Sequence, residues 1–412
     1  MQNQKFSAFL TLFTIFTATL LATGSPAAAQ TEIVLSNFES STAEDPAAAV
    51  IFDSAGNLYG TTFLGGAYAG GTVFELTPES IGVWTQQFLY NFNSRGRGGF
   101  YPIASLIFDS AGNLYGTTSS SYDGGDAYGT VFKLTRQVNG NWTETVLHEF
   151  VNKMDGRQPQ ASLIFDSRGN LYGTTVYGGV YSGGIAFQLT PQADGKWTEK
   201  VLHNFGHGSS DGTEPTGSLI FDAARNLYGT LLSGGSYGNG AVFELSPNAS
   251  GGWTERILED FANSTTNGKY PYGNLIFDAA GDLYGTTGNG GTYGQGVVYK
   301  LSPNAGGDWT EELLYSFAGG PDGGFPVAGV VFDAVGNLYG TADDRGSGNA
   351  GTVFELSPNG VGGWTQNTLY DFTGGADGGT PEAGVILDSA GNLYGTTVKG
   401  GNGGGTVFEI LR

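Results

Sequence analysis

The 412-residue chain has no cysteine, two methionines, three histidines and only 13% charged residues. Without cysteine there is no disulfide and no thiolate chemistry, whether at zinc or as a nucleophile, so stability must come from the size of the core. Basic residues are scarce: 17 Lys and Arg stand against 38 Asp and Glu, a formal charge of −21. A chain this acidic repels nucleic-acid phosphates and anionic lipid, and neither is expected as a partner. The sequence also lacks a Gly-x-Ser-x-Gly nucleophile elbow and a Gly-x4-Gly-Lys-Ser/Thr phosphate loop. Nothing in it points to a cofactor.

Glycine is plentiful. The 72 Gly and 14 Pro together make about a fifth of the chain, against roughly 12% on average. That excludes a helix-rich protein. The glycines keep no every-third-residue rule, which excludes collagen, and 39% hydrophobic with 13% aromatic residues is too apolar for a disordered tract. A packed, turn-rich β protein remains.

Residues 1–29 read as a secretory signal peptide, with Lys5 near the start, an apolar stretch from Ala8 to Leu21, and Ala27-Ala28-Ala29 before Gln30. The stretch is too short for the roughly 20 residues a membrane anchor needs, and no later segment is long enough. The mature chain, 30–412, is expected to be one domain, exported to the periplasm or beyond the cell.

Self-similarity sets the architecture. Ile51-Phe52-Asp53-Ser54-Ala55-Gly56-Asn57-Leu58-Tyr59-Gly60-Thr61-Thr62 recurs with Asp109, Asp166, Asp222, Asp278, Asp333 and Asp388 in register, seven copies about 56 residues apart. A proline precedes each Asp by seven residues, from Pro46 to Pro381. Within a copy, four β-prone runs stand between turn signals, as at 105–108, 113–118, 130–134 and 142–150. The first run is apolar on successive residues, which predicts a strand buried on both faces. Four strands per copy and seven copies predict an all-β, seven-bladed β-propeller. Residues 31–38 match a fourth strand, whereas the chain stops after a third at 406–412. The two ends should therefore complete one blade between them and close the ring.

Asp-x-x-Gly-Asn-Leu-Tyr-Gly-Thr followed by a Gly-rich turn and Gly-Thr-Val-Phe-Glu-Leu resembles the bacterial tandem repeats called GloVer, of the choice-of-anchor class of exported proteins. The likeness spans 31–412. A looser similarity to propeller repeats of the NHL and two-component-sensor kinds implies the same fold. Many GloVer proteins carry a C-terminal sorting tail, whereas 406–412 reads as a strand, so anchoring at the cell surface is not expected. The resemblance implies no activity.

The Asp53 series lies between two strands, where Asp caps a tight turn, and a turn role is expected rather than metal binding. The six Trp begin the fourth strands and read as packing on the adjoining turn. His148 and His203 share one repeat position and His207 stands alone in a loop, with no two-His metal spacing on a common element. Asp155, Asp211, Asp322 and Asp377, each before Gly, could hold Ca²⁺, although no calcium-loop spacing is present and turn chemistry suffices.

Function is expected on the face carrying the blade-to-blade loops. Just before the repeated proline the residues differ: Asp45, Tyr101, Gln158, Glu214, Tyr270, Phe325 and Thr380, with Tyr272 just after it. Tyr101, Glu214, Tyr270, Tyr272 and Phe325 are the candidate binding residues, with Asp343 and Asp344 as acidic candidates. Tyr68, Tyr128, Tyr181, Tyr237 and Tyr293, from the second-to-third-strand loops, would complete an aromatic-rimmed mouth suited to stacking on a sugar or another neutral ligand. The reading is a monomeric, non-catalytic binding module of the cell envelope. The rivals are a secreted glycan hydrolase or lyase with acids from several blades, and a structural spacer.

Overall fold

Each repeat folds into a four-stranded antiparallel sheet in chain order, as in Ile107–Phe108, Leu114–Thr118, Thr130–Arg136 and Trp142–Glu149. The computed structural model describes residues 30–412 except 81, 97, 122–127, 152, 263, 265 and 266, so the expected signal peptide lies outside the described residues. There is no helix among the described residues. Seven such sheets form a seven-bladed β-propeller.

The closing blade is composite. Ile386–Leu387, Leu393–Thr397 and Gly403–Leu411 come from the end of the chain, and Thr31–Glu39 supplies the outer strand, with Thr31 opposite Leu411 and Val34 opposite Phe408. Pairing the two ends covers what would otherwise be exposed strand edges.

The recurring letters each have a packing reason. The second strand, Leu-Tyr-Gly-Thr-Thr in most blades, is buried along its whole length. Its glycine lies under an aromatic ring of the third strand: a Cβ at Gly60 would stand 2.5 Å from Phe74 Cζ, and one at Gly116 2.6 Å from Phe132 Cζ. Any side chain there would push the ring off the sheet. That ring in turn meets the last Phe of the preceding blade's outer strand, as in Phe92 with Phe132 at 5.0 Å and Phe372 with Phe408 at 5.1 Å. Phe38 and Phe74, at 5.0 Å, carry the series across the closure. Edge-on pairs of this kind contribute about 0.5–1.5 kcal/mol each beyond the area they bury.

A ring of hydrogen bonds runs nearer the axis. Thr61 Oγ1 donates to Ala104 O in the next blade at 3.3 Å and Thr341 Oγ1 to Ala383 O at 2.8 Å, and Thr396 Oγ1 reaches Ala48 O at 3.1 Å across the closure.

Two expectations need correction. The innermost strand is only two residues long and half-buried, because one side of it borders the central channel; the strand covered on both faces is the second. The tryptophans pack on the preceding blade's tyrosine rather than on the adjoining turn, with Trp84 at 6.4 Å from Tyr394 and Trp309 at 6.2 Å from Tyr228.

Candidate functional site on the loop face

The repeated Asp turn is used up by structure. Asp109 Oδ1 accepts from the backbone N–H of Ala111 and Asn113, both at 2.9 Å, and Oδ2 accepts from Asn113 Nδ2 at 2.7 Å and the Tyr115 hydroxyl at 3.0 Å. Asp53, Asp333 and Asp388 repeat the pattern. Burial opposes ionisation, but these donors outweigh it and hold Asp53, Asp109, Asp166 and Asp333 below the ordinary carboxylate range. With both oxygens filled, nothing is left for a ligand.

On the opposite face the residue before each repeated proline is in the left-handed region in all seven blades: Asp45, Tyr101, Gln158, Glu214, Tyr270, Phe325 and Thr380 have φ between 55° and 64°. Each is held by two backbone hydrogen bonds. Tyr270 N–H donates to Asn239 O of the preceding blade at 2.8 Å, and its C=O accepts from Gly288 N–H of its own blade at 3.0 Å. Asp45, bonded to Gly404 O at 3.1 Å and Phe63 N–H at 2.9 Å, does the same at the closure. Left-handed backbone costs a non-glycine residue about 1–2 kcal/mol, yet this glycine-rich chain never uses glycine there. The backbone is constant and the side chain varies.

Residues just after each repeated proline line the channel, a cavity of about 300 Å³ bordered by small side chains such as Ala48, Ala104, Ala161, Ala328 and Ala383. At its mouth the structure sorts the candidates into two groups. Tyr270 and Tyr272 are exposed, at 36% and 41%. Burial of part of the Tyr272 ring, followed by the nearby charge of Glu214, raises its phenol pKa. Glu214 Oε2 accepts from the Ser233 hydroxyl at 3.0 Å. The second group lines a cavity of about 440 Å³ made by Phe325, Asp343, Asp344, Thr380, Glu382 and Lys399. Arg345 lies over the Phe325 ring at 6.0 Å and pairs with Asp344 at 3.6 Å. Tyr101 belongs to neither group. It is half-buried, with Phe63 at 4.9 Å and Phe100 at 4.6 Å.

Glu382 is the residue that sequence reasoning missed. Its side chain is exposed on the channel; partial desolvation, with Asp343 and Asp45 adding repulsion against the opposing Lys399, raises its pKa to about 7. Burial and Asp344 raise Asp343 as well, and Asp343 Oδ1 is buried without a hydrogen-bond partner. The signal was present: the position after the repeated proline is Ala47, Ile103, Gln160, Thr216, Tyr272 and Val327 in the other blades, so Glu382 is the one charge there.

Of the loop tyrosines, Tyr128 is buried in the core. Tyr181 lies on His207 at 4.7 Å, and the Tyr68 carbonyl accepts from Ser94 N–H at 3.4 Å, both beside outer strands. Of the four Asp-Gly acids, two are turn residues: Asp322 accepts from Tyr315, Ala318 and Gly320, and Asp377 from Tyr370 and Thr373. Asp155 and Asp211 instead meet His148 and Glu199, and His203 and Glu255, with the ligand atoms of each trio within 4.8 Å of one another. No helix among the described residues is long and apolar enough to cross a membrane.

Fold and repeat define a closed seven-bladed propeller built from one motif. The Gloeobacter/Verrucomicrobia repeat matches residues 14–218, 121–324 and 306–412, and the chain belongs to that family. No curated protein matches it. Among solved structures it is similar to the periplasmic gluconolactonase of Pseudomonas aeruginosa, with 16% identity, TM-score 0.49, and 82% of this chain and 95% of that one covered. It is also similar to a provisionally assigned 6-phosphogluconolactonase from Bacteroides uniformis, with 14% identity, TM-score 0.48 and 90% of each chain covered. A protein of unknown function from Dyadobacter fermentans follows, with 13% identity, TM-score 0.45, and 92% and 98% covered. Identities and scores this low transfer no activity to this chain.

Proposed function

We propose that the protein is an exported, monomeric, non-catalytic binding module of the cell envelope that takes a neutral carbohydrate at the channel mouth. The observation that carries this reading is the ring of seven strained, non-glycine residues at one backbone address. Strain kept where glycine would remove it supports a role for the side chain rather than the backbone. Tyr270 and Tyr272 offer exposed ring faces to sugar C–H groups, and Glu214 offers carboxylate oxygens to hydroxyls. The acids Asp45, Asp343, Asp344 and Glu382 around the mouth disfavour anionic ligands.

A glycan array probed with the mature chain, 30–412, tests this. Binding should appear to one or a few neutral glycans and fall at least tenfold in Tyr270→Ala and in Tyr272→Ala. Silence on every glycan, or binding indifferent to both substitutions, overturns it.

One observation favours a second reading, glycan hydrolysis or lysis. Glu382, with a pKa near 7, is suited to donate a proton beside the acid Asp343. Release of reducing ends from polysaccharide, abolished in Glu382→Gln, would establish that activity.

A further inference from the structure

The position just after the bulge in the outer strand faces the next blade, and the blades fill it with tyrosine, histidine, Ser36 or Glu259. Where it is Tyr90, Tyr315 or Tyr370, the phenol donates to a carboxylate, Glu144 at 2.8 Å, Asp322 at 3.0 Å or Asp377 at 3.2 Å, and the hydrogen bond from this position is made, though Glu144 Oε1 remains buried without a partner. Where it is His148 or His203, that bond is not made. His203 Nε2 stops 3.4 Å from Glu255 Oε2, and His203 Nε2, Asp211 Oδ1 and Glu255 Oε1 are all buried without a hydrogen-bond partner.

The His203 group is built. Leu202 is the extra residue of a β-bulge, buried, next to the histidine; bulges of this kind re-aim a side chain. Asp211 is only 8% exposed, and its Oδ2 is fixed by His207 N–H at 2.6 Å, leaving Oδ1 toward His203 and Glu255. Glu255 comes from the next blade. The trio opens on a cavity of about 430 Å³ that His207 also lines. One blade earlier His148, Asp155 and Glu199 repeat the trio, with His148 Nε2 at 3.8 Å from Glu199 Oε2 and both His148 Nε2 and Glu199 Oε1 unpartnered.

An imidazole nitrogen and two carboxylates match what zinc takes in a four-coordinate site, where ligand atoms lie about 2.0–2.2 Å from the metal. Calcium and magnesium prefer six or more oxygens and make little use of imidazole. We propose that His203, Asp211 and Glu255 bind Zn²⁺ between the third and fourth blades, and that His148, Asp155 and Glu199 bind a second Zn²⁺ between the second and third. Each ion bridges neighbouring blades in a chain that has no disulfide. His207 or water completes the first site.

The test uses tag-free mature protein equilibrated with micromolar Zn²⁺, with bound metal measured by mass spectrometry after removal of free ion, and melting followed with and without chelator. Two zinc ions per chain and a melting temperature lowered by chelator are expected. His203→Tyr and His148→Tyr install the residue other blades use, so each should still fold, lose one ion, and lose its share of the chelator effect. One ion, lost only in His203→Tyr, upholds the first site and overturns the second. No bound zinc, or full retention in the double Tyr variant, overturns both.

Discussion

The two faces of the ring meet the same structural demand with opposite economies of side chain and backbone. On the turn face the side chain is the structure: Asp109 ties four donors of its own hairpin, and a repeated acid performs that task around the ring. On the loop face the backbone is the structure: Tyr101 donates its N–H to Gly70 O at 2.7 Å and accepts from Ser119 N–H at 3.0 Å, as its counterparts do whatever their side chains. A face whose side chains are consumed cannot diversify. A face riveted by its main chain can carry Asp, Tyr, Gln, Glu, Phe or Thr without loss of the fold.

Three experiments press on that contrast. The largest effect should come from deleting residues 31–38, which removes the strand on which the composite blade depends and the buried Phe38 and Leu35. Large-to-small loss of one buried aromatic alone costs about 3–5 kcal/mol, so calorimetry should show the melt falling by more than ~10 °C. An unchanged melt would show that ring closure does not support either face.

Next comes a matched pair read by urea denaturation. Asp109→Ala leaves Asn113 and Tyr115 without their acceptor and should cost about 2–3 kcal/mol. Thr380→Gly on the other face relieves left-handed strain and should gain about 0.5–1 kcal/mol. Equal losses at the two sites would dissolve the contrast.

The smallest effect per group is in the pH profile. Burial raises Glu32, Glu144, Glu259 and Glu311 to about 7. Between the unfolded carboxylate value of about 4.3 and these values the folded chain holds more protons than the unfolded chain, so stability falls as pH rises. The turn aspartates act the other way: their lowered pKa values contribute stability above about 3.9 that is lost as pH falls through the folded values. The melting temperature should therefore peak near pH 5 and be lower by a few degrees at pH 8. A profile flat from 5 to 8 would mean that these glutamates titrate as exposed groups.

Much of the fold was legible because its cues are local. A Gly opposite a Phe, a Thr two residues past Tyr and an Asp before Asn are read within one repeat, and seven copies repeat the message. Tyr270, Tyr272 and Glu214 stand out as candidates for the same reason, since they break a register the other copies define. Tyr101 looked equivalent to Tyr270 by that logic. Its fate turned on Phe63 and Phe100, which pack against it, and a repeat alignment does not weigh such neighbours.

By itself the sequence determined the number of blades, their strand order and the completion of the last blade by the first residues, because periodicity and strand pairing follow from short-range pattern. Only the tertiary structure decided which side chains share a space. Glu382 lies within the electrostatic reach of Asp45, and His203 meets Glu255 across a blade boundary, because packed sheets bring together residues that lie a repeat or a whole ring apart along the chain.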